Sequence, residues 1–253
     1  MALYLEAACL CNTGKIRKNN EDNFSFDGRC LQAENAGLVR PILMRKPLQR
    51  VTCVAVFDGM GGENFGEIAS YVAADCMNRE APGEFCLFDP VKSILTDLCL
   101  RINDAVVRKA RELCTDRMGS TLAALFFFRK QIYISNLGDS RIYRIRNGSI
   151  EQLSVDHVEK SNGQAKKKMP LTQHLGISPE EFLLEPYVAA DWLRRDDQYL
   201  LCSDGLTDMV SDDEICDIVI HSEKTEDCVH NLIDAALRSG GKDNVTAIMC
   251  RIL

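Results

Sequence analysis

Apolar residues recur at three- and four-residue spacing in four segments of the chain, which predicts four helices. Two long helices fall in the first half. Two more lie near the C-terminal end, and the first of these opens on a capping box formed by Ser211 and Glu214. The predicted helices are Asn64–Arg79, Pro90–Cys114, Ser211–Ile220 and Glu226–Arg238.

The other apolar runs are short and are typical of β-strands. Tight turns separate several of them, and Asn147-Gly148 is a strong hairpin signal. The stretch that holds Pro41 and Pro47 is irregular and predicts a loop or hairpin excursion. The predicted strands are residues 1–12, Asn23–Phe26, Val51–Phe57, Thr121–Phe128, Gln131–Asn136, Arg141–Arg146, Ser149–Ser154, Tyr187–Trp192, Gln198–Cys202 and Val245–Ile252.

The order of these elements is strands, two helices, many strands, two helices and one strand. It lacks the regular alternation of strand and helix that builds a parallel sheet. We therefore predict an α+β sandwich with antiparallel sheets inside and helix pairs outside. Neither an internal repeat nor a low-complexity linker interrupts the sequence, so we predict a single domain over residues 1–253.

Charge and cysteine content narrow the class of protein. The net charge of −7 disfavours a surface for nucleic acid or an anionic membrane. Most of the 12 cysteines lie in apolar stretches and none forms a Cys-x-x-Cys motif, which indicates buried free thiols. Free thiols indicate a reducing compartment, and we expect a cytoplasmic protein. The sequence has no signal-peptide pattern and no apolar run of about 18 residues, so we expect no membrane span.

Five aspartates stand next to a glycine or an asparagine. A lone Asp-Gly is usually only a turn. Here, however, Asp58 and Asp204 follow apolar runs and Asp243 precedes one, so that strand ends could bring them together. Converging carboxylates repel each other unless a cation neutralises them, and a pair of hard cations suits phosphate-ester chemistry. The five motifs are Asn20-Glu21-Asp22, Asp58-Gly59, Gly138-Asp139, Asp204-Gly205 and Asp243-Asn244.

Six short motifs follow one another along the chain in an order that is typical of one protein family. They are Arg17-x-x-Asn20-Glu21-Asp22, Asp58-Gly59-x-Gly61-Gly62, Asp116-x-x-Gly119-Ser120-Thr121, Gly138-Asp139-Ser140-Arg141, Ser203-Asp204-Gly205 and Asp243-Asn244. The chain resembles a metal-dependent serine/threonine protein phosphatase of the PPM (type 2C) family, of the bacterial type. Each motif alone is weak, but the match spans nearly the whole chain. The resemblance implies a four-layer αββα sandwich, two antiparallel sheets flanked by helix pairs.

The resemblance also implies a centre of two Mn²⁺ or Mg²⁺ ions, with a third possible. Asp58 would bridge the two ions and the carbonyl oxygen of Gly59 would bind one of them. Asp204 and Asp243 would bind the other. Ligands that are all oxygen suit these hard cations better than Zn²⁺ or Cu²⁺.

Four further residues receive roles in the same way. Glu21 and Asp22 would act near the metals, and whether they bind directly or through water stays open. Arg17 would hold the substrate phosphate, for which a guanidinium offers a forked clamp. Asp116 matches a position linked to a third, weaker metal, although capping or solvation is the alternative role.

The implied activity is hydrolysis of phosphoserine and phosphothreonine in proteins by a water or hydroxide that bridges two Mn or Mg ions. Asp22, Asp58 and Arg17 are the expected catalytic residues. The expected partners are phosphorylated proteins, targets of a Ser/Thr kinase, and the expected state is a monomer that binds neither nucleic acid nor membrane. The alternative is a non-catalytic regulatory module that has the same fold and binds phosphoproteins.

Two departures from the family pattern concern the cleft. Met60 stands where many eukaryotic members have a histidine that is proposed to protonate the leaving group. Only 13 residues separate His157 from Leu171, where many members have a longer flap, so we predict a shortened flap at about residues 156–170. The lysine run Lys166–Lys168 in this segment predicts a solvated loop. The alternative is that these lysines attract acidic phosphopeptides. The stretch at residues 27–50 looks long enough to cover part of the cleft.

Overall fold

Twelve strands and five helices make up the described part of the chain. The computed structural model describes residues 3–61, 65–86, 89–159, 169–180 and 182–253. The strands are β1 Tyr4–Asn12, β2 Asp22–Phe26, β3 Ile42–Pro47, β4 Thr52–Gly61, β5 Met118–Ser120, β6 Leu122–Phe128, β7 Gln131–Leu137, β8 Arg141–Arg146, β9 Ser149–Gln152, β10 Tyr187–Trp192, β11 Gln198–Cys202 and β12 Val245–Ile252. The helices are α1 Gly66–Glu80, α2 Val91–Glu112, α3 Asp204–Thr207, α4 Asp212–His221 and α5 Thr225–Arg238.

The strands form two antiparallel sheets. The first has the order β3-β1-β12-β11-β8-β9, and the second has the order β10-β7-β6-β4-β2. The short strand β5 pairs with the far end of β4, opposite Gly59–Gly61. No helix in the described ranges is long and apolar enough to cross a membrane.

Side chains alternate along the strands and fill three apolar layers. On β4, Val54 and Val56 point into the core between the sheets, whereas Ala55 and Phe57 point to the layer under α1 and α2. The helices α4 and α5 cover the outer face of the first sheet. This arrangement of helices, two sheets and helices confirms the predicted αββα sandwich.

Several details differ from the prediction. Ile42–Pro47 is not a loop but an edge strand paired with β1, and its pattern is weak because only Met44 is buried. Asp58 does not stand at a strand end, because β4 continues to Gly61 with β5 as its partner. The helix α3 has only four residues, which is too short for periodicity to reveal.

Part of the predicted flap lies outside the described residues. These flap residues are 160–168, which include the Lys166–Lys168 triplet. Gly62 of the Asp58 motif and Asn64, the predicted first residue of a helix, also lie outside the described residues. The described base of the segment is held together, because Val158 is bridged to Leu171 and the backbone N–H of Thr172 donates to the carbonyl of His157 at 2.8 Å.

Candidate active site

Two of the predicted site carboxylates lie side by side on neighbouring strands. Asp22 on β2 is the direct register partner of Asp58 on β4. Opposite residues of an antiparallel pair project to the same face, so both side chains extend between the two sheets. Asp22 is almost fully buried and Asp58 is half-buried.

The Asp22 carboxylate is fixed from the opposite sheet. The hydroxyls of Ser203 and Thr246 each donate a hydrogen bond of 2.7 Å to its Oδ2. Its Oδ1 is buried and has no hydrogen-bond partner among the described residues. Burial raises the pKa of Asp22 to about 7; the two hydrogen bonds oppose this rise and the nearby charges of Asp204 and Asp243 add to it.

Asp204 and Asp243 reach the same end of the sandwich by the pairing of β11 with β12. Asp204 is the first residue of α3, two residues after the end of β11, and Asp243 stands two residues before β12. The backbone N–H of Ser203 donates to the carbonyl of Thr246 at 3.1 Å, and the N–H of Thr246 donates to the Ser203 hydroxyl at 3.0 Å. These bonds tie the two segments together beside Asp22.

Arg17 lies among the carboxylates. Its Nη2 is 2.7 Å from Asp243 Oδ2, and its Nη1 is 3.9 Å from Glu21 Oε2. Partial burial lowers the pKa of Arg17, but the bond to Asp243 and the charges of Asp243, Glu21 and Asp58 more than offset this and raise it. The guanidinium, which is half exposed, is thus a cation held at the mouth of the site.

Glu21 and Gly59 present two oxygens to the first residue of α1. A Cβ built on Gly66 would lie 2.5 Å from Glu21 Oε1 and 3.0 Å from the carbonyl oxygen of Gly59. The backbone N–H of Gly59 donates to the carbonyl of Glu21 at 3.0 Å. A Cβ on Gly59 itself would lie 2.0 Å from the Gly66 carbonyl oxygen, so only glycine permits this close approach.

Among the described residues, no hydrogen bond or ion pair joins Asp116 to Arg17. Asp116 is exposed in the connection between α2 and β5 and lines a pocket beside Met60 and Gly61.

The oxygens present fit a hard cation. Among the described residues no three His, Cys, Asp or Glu side chains already surround a common point as ligands, and Arg17 pairs with two of the carboxylates. The buried Asp22 Oδ1 is nevertheless an acceptor that no described protein group satisfies. Together with the Gly59 carbonyl, the carboxylates supply the oxygen ligands that Mg²⁺ and Mn²⁺ prefer.

Several positioning residues were not predicted from the sequence. Thr121 accepts a hydrogen bond of 2.9 Å from the N–H of Asp58 through its Oγ1, and its own N–H donates to the Asp58 carbonyl at 2.9 Å. Asn244 accepts from the N–H of Glu21 at 2.8 Å. Ser203 and Thr246 hold Asp22. The Gly-Ser-Thr and Asp-Asn motifs contain Thr121 and Asn244, but nothing in the sequence indicated what they would contact.

We expect Asp22→Asn to stabilise the metal-free protein at neutral pH. The folded-state pKa of about 7 exceeds the ordinary 3.8, so rising pH ionises the unfolded state first and favours it. The gain should be on the order of 4 kcal/mol near pH 8 and should shrink as the pH falls through about 7 toward 4. Thermal denaturation in EDTA across this pH range measures it, and a lower melting temperature of the variant near pH 8 would refute the expectation.

The fold and the site define a class of protein: an αββα sandwich with a cluster of oxygen ligands for hard cations at one end of its two sheets. The sequence profile of the family named Protein phosphatase 2C matches residues 43–238. The chain belongs to this family, which confirms the resemblance seen in its motifs.

Known relatives agree with this assignment. The chain is 28% identical over 271 residues to the serine/threonine protein phosphatase PstP of Mycobacterium tuberculosis, and it spans about half of that protein (46%) while the match covers 100% of the chain. The structure of PppA, "a key regulatory component of T6SS in Pseudomonas aeruginosa", superposes with a TM-score of 0.80 at 29% identity, over 99% of this chain and 98% of PppA. The catalytic domain of PstP "in complex with 2 Manganese ions" superposes with a TM-score of 0.75 at 29% identity, over 99% of both chains.

Proposed function

We propose that this chain hydrolyses phosphoserine and phosphothreonine in proteins with the aid of Mn²⁺ or Mg²⁺. The observation that carries the proposal is the convergence of Asp22, Asp58, Asp204 and Asp243 beside Arg17 at one end of the sandwich. Membership of the Protein phosphatase 2C family and the two manganese ions in the PstP structure support it.

The chain's own residues divide the work of holding cations and substrate. We assign Asp58 and the Gly59 carbonyl to one ion, and Asp58 with Asp204 and Asp243 to the other. Asp22 and Glu21 border the site, either as direct ligands or through water. When bound, the two ions would neutralise the phosphate dianion and the carboxylates and act as Lewis acids toward phosphoryl oxygen. Asp116 stays a proposed ligand for a third ion only.

Arg17 is the proposed phosphate-binding residue. Its guanidinium already lies among carboxylates at the mouth of the site, where its Nη2 donates to Asp243 Oδ2. Two cations on those carboxylates would compensate their charge, so Arg17 could exchange Asp243 for the oxygens of a phosphate. No protein nucleophile is needed, and the hydroxyl of Thr121 is engaged with the backbone of Asp58.

Metal removal tests the proposal. We expect the purified chain to hydrolyse p-nitrophenyl phosphate and phosphothreonine peptides with Mn²⁺, to lose the activity in excess EDTA, and to regain it when Mn²⁺ is restored. Activity that survives EDTA and dialysis would contradict a metal-dependent reaction. Phosphotyrosine peptides, tested in parallel, show whether the serine/threonine preference holds.

The alternative, a regulatory module that binds phosphoproteins without hydrolysing them, makes a different prediction. Calorimetry would then detect Mn²⁺ binding while no phosphopeptide is turned over. We favour the enzyme, because each predicted metal-site aspartate is present and Asp22, Asp58, Asp204 and Asp243 reach the same end of the sheets.

The setting of the reaction is also proposed. We infer that residues 1–253 form one domain with a shortened flap at about residues 156–170. We also infer that the chain is a cytoplasmic monomer that reverses the action of a Ser/Thr kinase. The 12 cysteines are free thiols, which suits a reducing compartment. Size-exclusion chromatography with light scattering tests the monomer.

A further inference from the structure

Hydrolysis of a seryl or threonyl phosphate, the proposed function on which this inference rests, requires a proton for the leaving oxygen. An alkoxide is a strong base, and a positioned acid that protonates it in the transition state accelerates such steps. Met60, which follows Asp58 and Gly59 along β4, has no proton to give. A side-chain donor, as distinct from water, must therefore come from a residue other than Met60.

Backbone pairing brings another segment of the chain to the site. Ser120 pairs with Gly59 across β4 and β5. On its other side, Ser120 exchanges two hydrogen bonds with Leu175: the N–H of Ser120 donates to the Leu175 carbonyl at 3.1 Å, and the N–H of Leu175 donates to the Ser120 carbonyl at 2.8 Å. His174, directly before Leu175, is thus held in register with the proposed metal-binding end of β4.

The imidazole of His174 packs beside Met60 over a glycine. A Cβ built on Gly119 would lie 2.9 Å from His174 Nδ1 and 3.0 Å from Met60 Cε. The same Cβ would lie 2.9 Å from the carbonyl oxygen of Leu175, which cannot move freely because it is bonded to Ser120. Gly119 therefore leaves the space in which the two side chains meet.

The orientation of the ring is set by its own backbone neighbour. His174 Nδ1 lies 2.8 Å from the Leu175 carbonyl oxygen, which can only accept, so Nδ1 carries a proton. The other nitrogen, Nε2, is then the one that can give and take a proton. Fixing one imidazole nitrogen on a carbonyl is a common way to orient the other for proton transfer.

His174 also lines a pocket that adjoins the end of β4. The pocket has a volume of about 650 Å³ and is bordered by Met60 and Gly61 as well. Its other described ionisable residues are two carboxylates and a guanidinium: Asp116, Glu159 and Arg117. Carboxylates usually lack a proton at neutral pH, and a guanidinium does not release its protons. An imidazole, in contrast, can both hold and release a proton near neutral pH.

We propose that His174 is the general acid of this enzyme. Water forms the new bond to phosphorus and gives one proton to solvent. The ester P–O bond breaks with its electron pair on the seryl or threonyl oxygen, which takes the proton of His174 Nε2. The imidazole regains a proton from solvent, and the products are the free hydroxyl and inorganic phosphate.

Two esters that differ only in leaving group test the proposal. His174→Gln should lower kcat/KM for phenyl phosphate about 100-fold, whereas p-nitrophenyl phosphate, whose phenolate leaves without a proton, should change less than about threefold. His157→Gln is the matched control, because His157 is also half-buried at the base of the same segment. It should leave the ratio of the two activities as in the wild type.

A second variant asks whether the lost function is proton donation. Met60→His places an imidazole beside the space over Gly119 that His174 occupies in the wild type. The double variant His174→Gln with Met60→His should therefore regain part of the activity on phenyl phosphate. An equal loss on both esters, or no loss on either, would overturn the assignment of His174. If His174→Gln does not fold, His174→Asn is measured on the same pair of esters. A wild-type chain that hydrolyses neither ester refutes the proposed function instead.

Discussion

Replacing Asp58 by asparagine is expected to reduce Mn²⁺-dependent hydrolysis of p-nitrophenyl phosphate by at least about 1,000-fold. Asp58 is the proposed bridge between two ions, and an amide lacks the charge that a bridging ligand supplies. The substitution should leave the fold intact, because Thr121 holds position 58 through backbone atoms that asparagine keeps. Steady-state kinetics at saturating Mn²⁺, with circular dichroism as a check on folding, measure the loss.

The control is the same substitution elsewhere on the chain. Asp75 on α1 is partly exposed and pairs with Arg79 one turn away, so Asp75→Asn should leave turnover unchanged. If Asp58→Asn keeps full activity when Mn²⁺ is limiting, Asp58 is not the bridging ligand.

Loss of Arg17 is expected to act in opposite directions on substrate and on metal. Arg17→Ala removes the proposed clamp for the phosphate, and the loss of charged hydrogen bonds on the order of 2 kcal/mol corresponds to a decrease of about 30-fold in kcat/KM. The same change releases Asp243 from an ion pair of 2.7 Å, so Mn²⁺ should bind more tightly. Kinetics and calorimetric titration with Mn²⁺ measure the two effects separately.

Arg17→Lys separates charge from geometry. Lysine keeps the positive charge but not the planar fork, so we expect it to recover metal affinity close to that of the wild type and only part of the catalytic loss. If Arg17→Ala leaves kcat/KM unchanged, Arg17 is a counter-ion of the carboxylates and does not bind the phosphate.

The long elements and the family could be predicted from the sequence because their signals are local or ordered along the chain. The helix α2 has a clear apolar stripe, and both ends of the helix lie within two residues of the predicted ends. The side chain of Ser211 caps α4, as the predicted capping box indicates. By contrast, the edge strand Ile42–Pro47 buries almost nothing and is flanked by prolines. Such a strand is specified by its pairing with β1, which no local pattern records.

The contacts of the site depend on residues far apart in sequence. Ser203 and Thr246 donate to Asp22 across 181 and 224 positions, and only the packing of the two sheets brings them together. His174 meets Met60 through β5, a strand of three residues that itself escaped prediction. Motif order identified the aspartates, whereas the groups that orient them and the proposed proton donor required the structure.

The most direct test of the metal site is a crystal structure of the Mn²⁺-soaked protein with anomalous scattering from manganese. We predict two peaks at the end of the sheets, both within about 2.3 Å of Asp58 oxygens, one of them bound also by Asp204 and Asp243, with Arg17 turned away from Asp243. Manganese bound elsewhere, or Asp58, Asp204 and Asp243 without a common ion, would contradict the account.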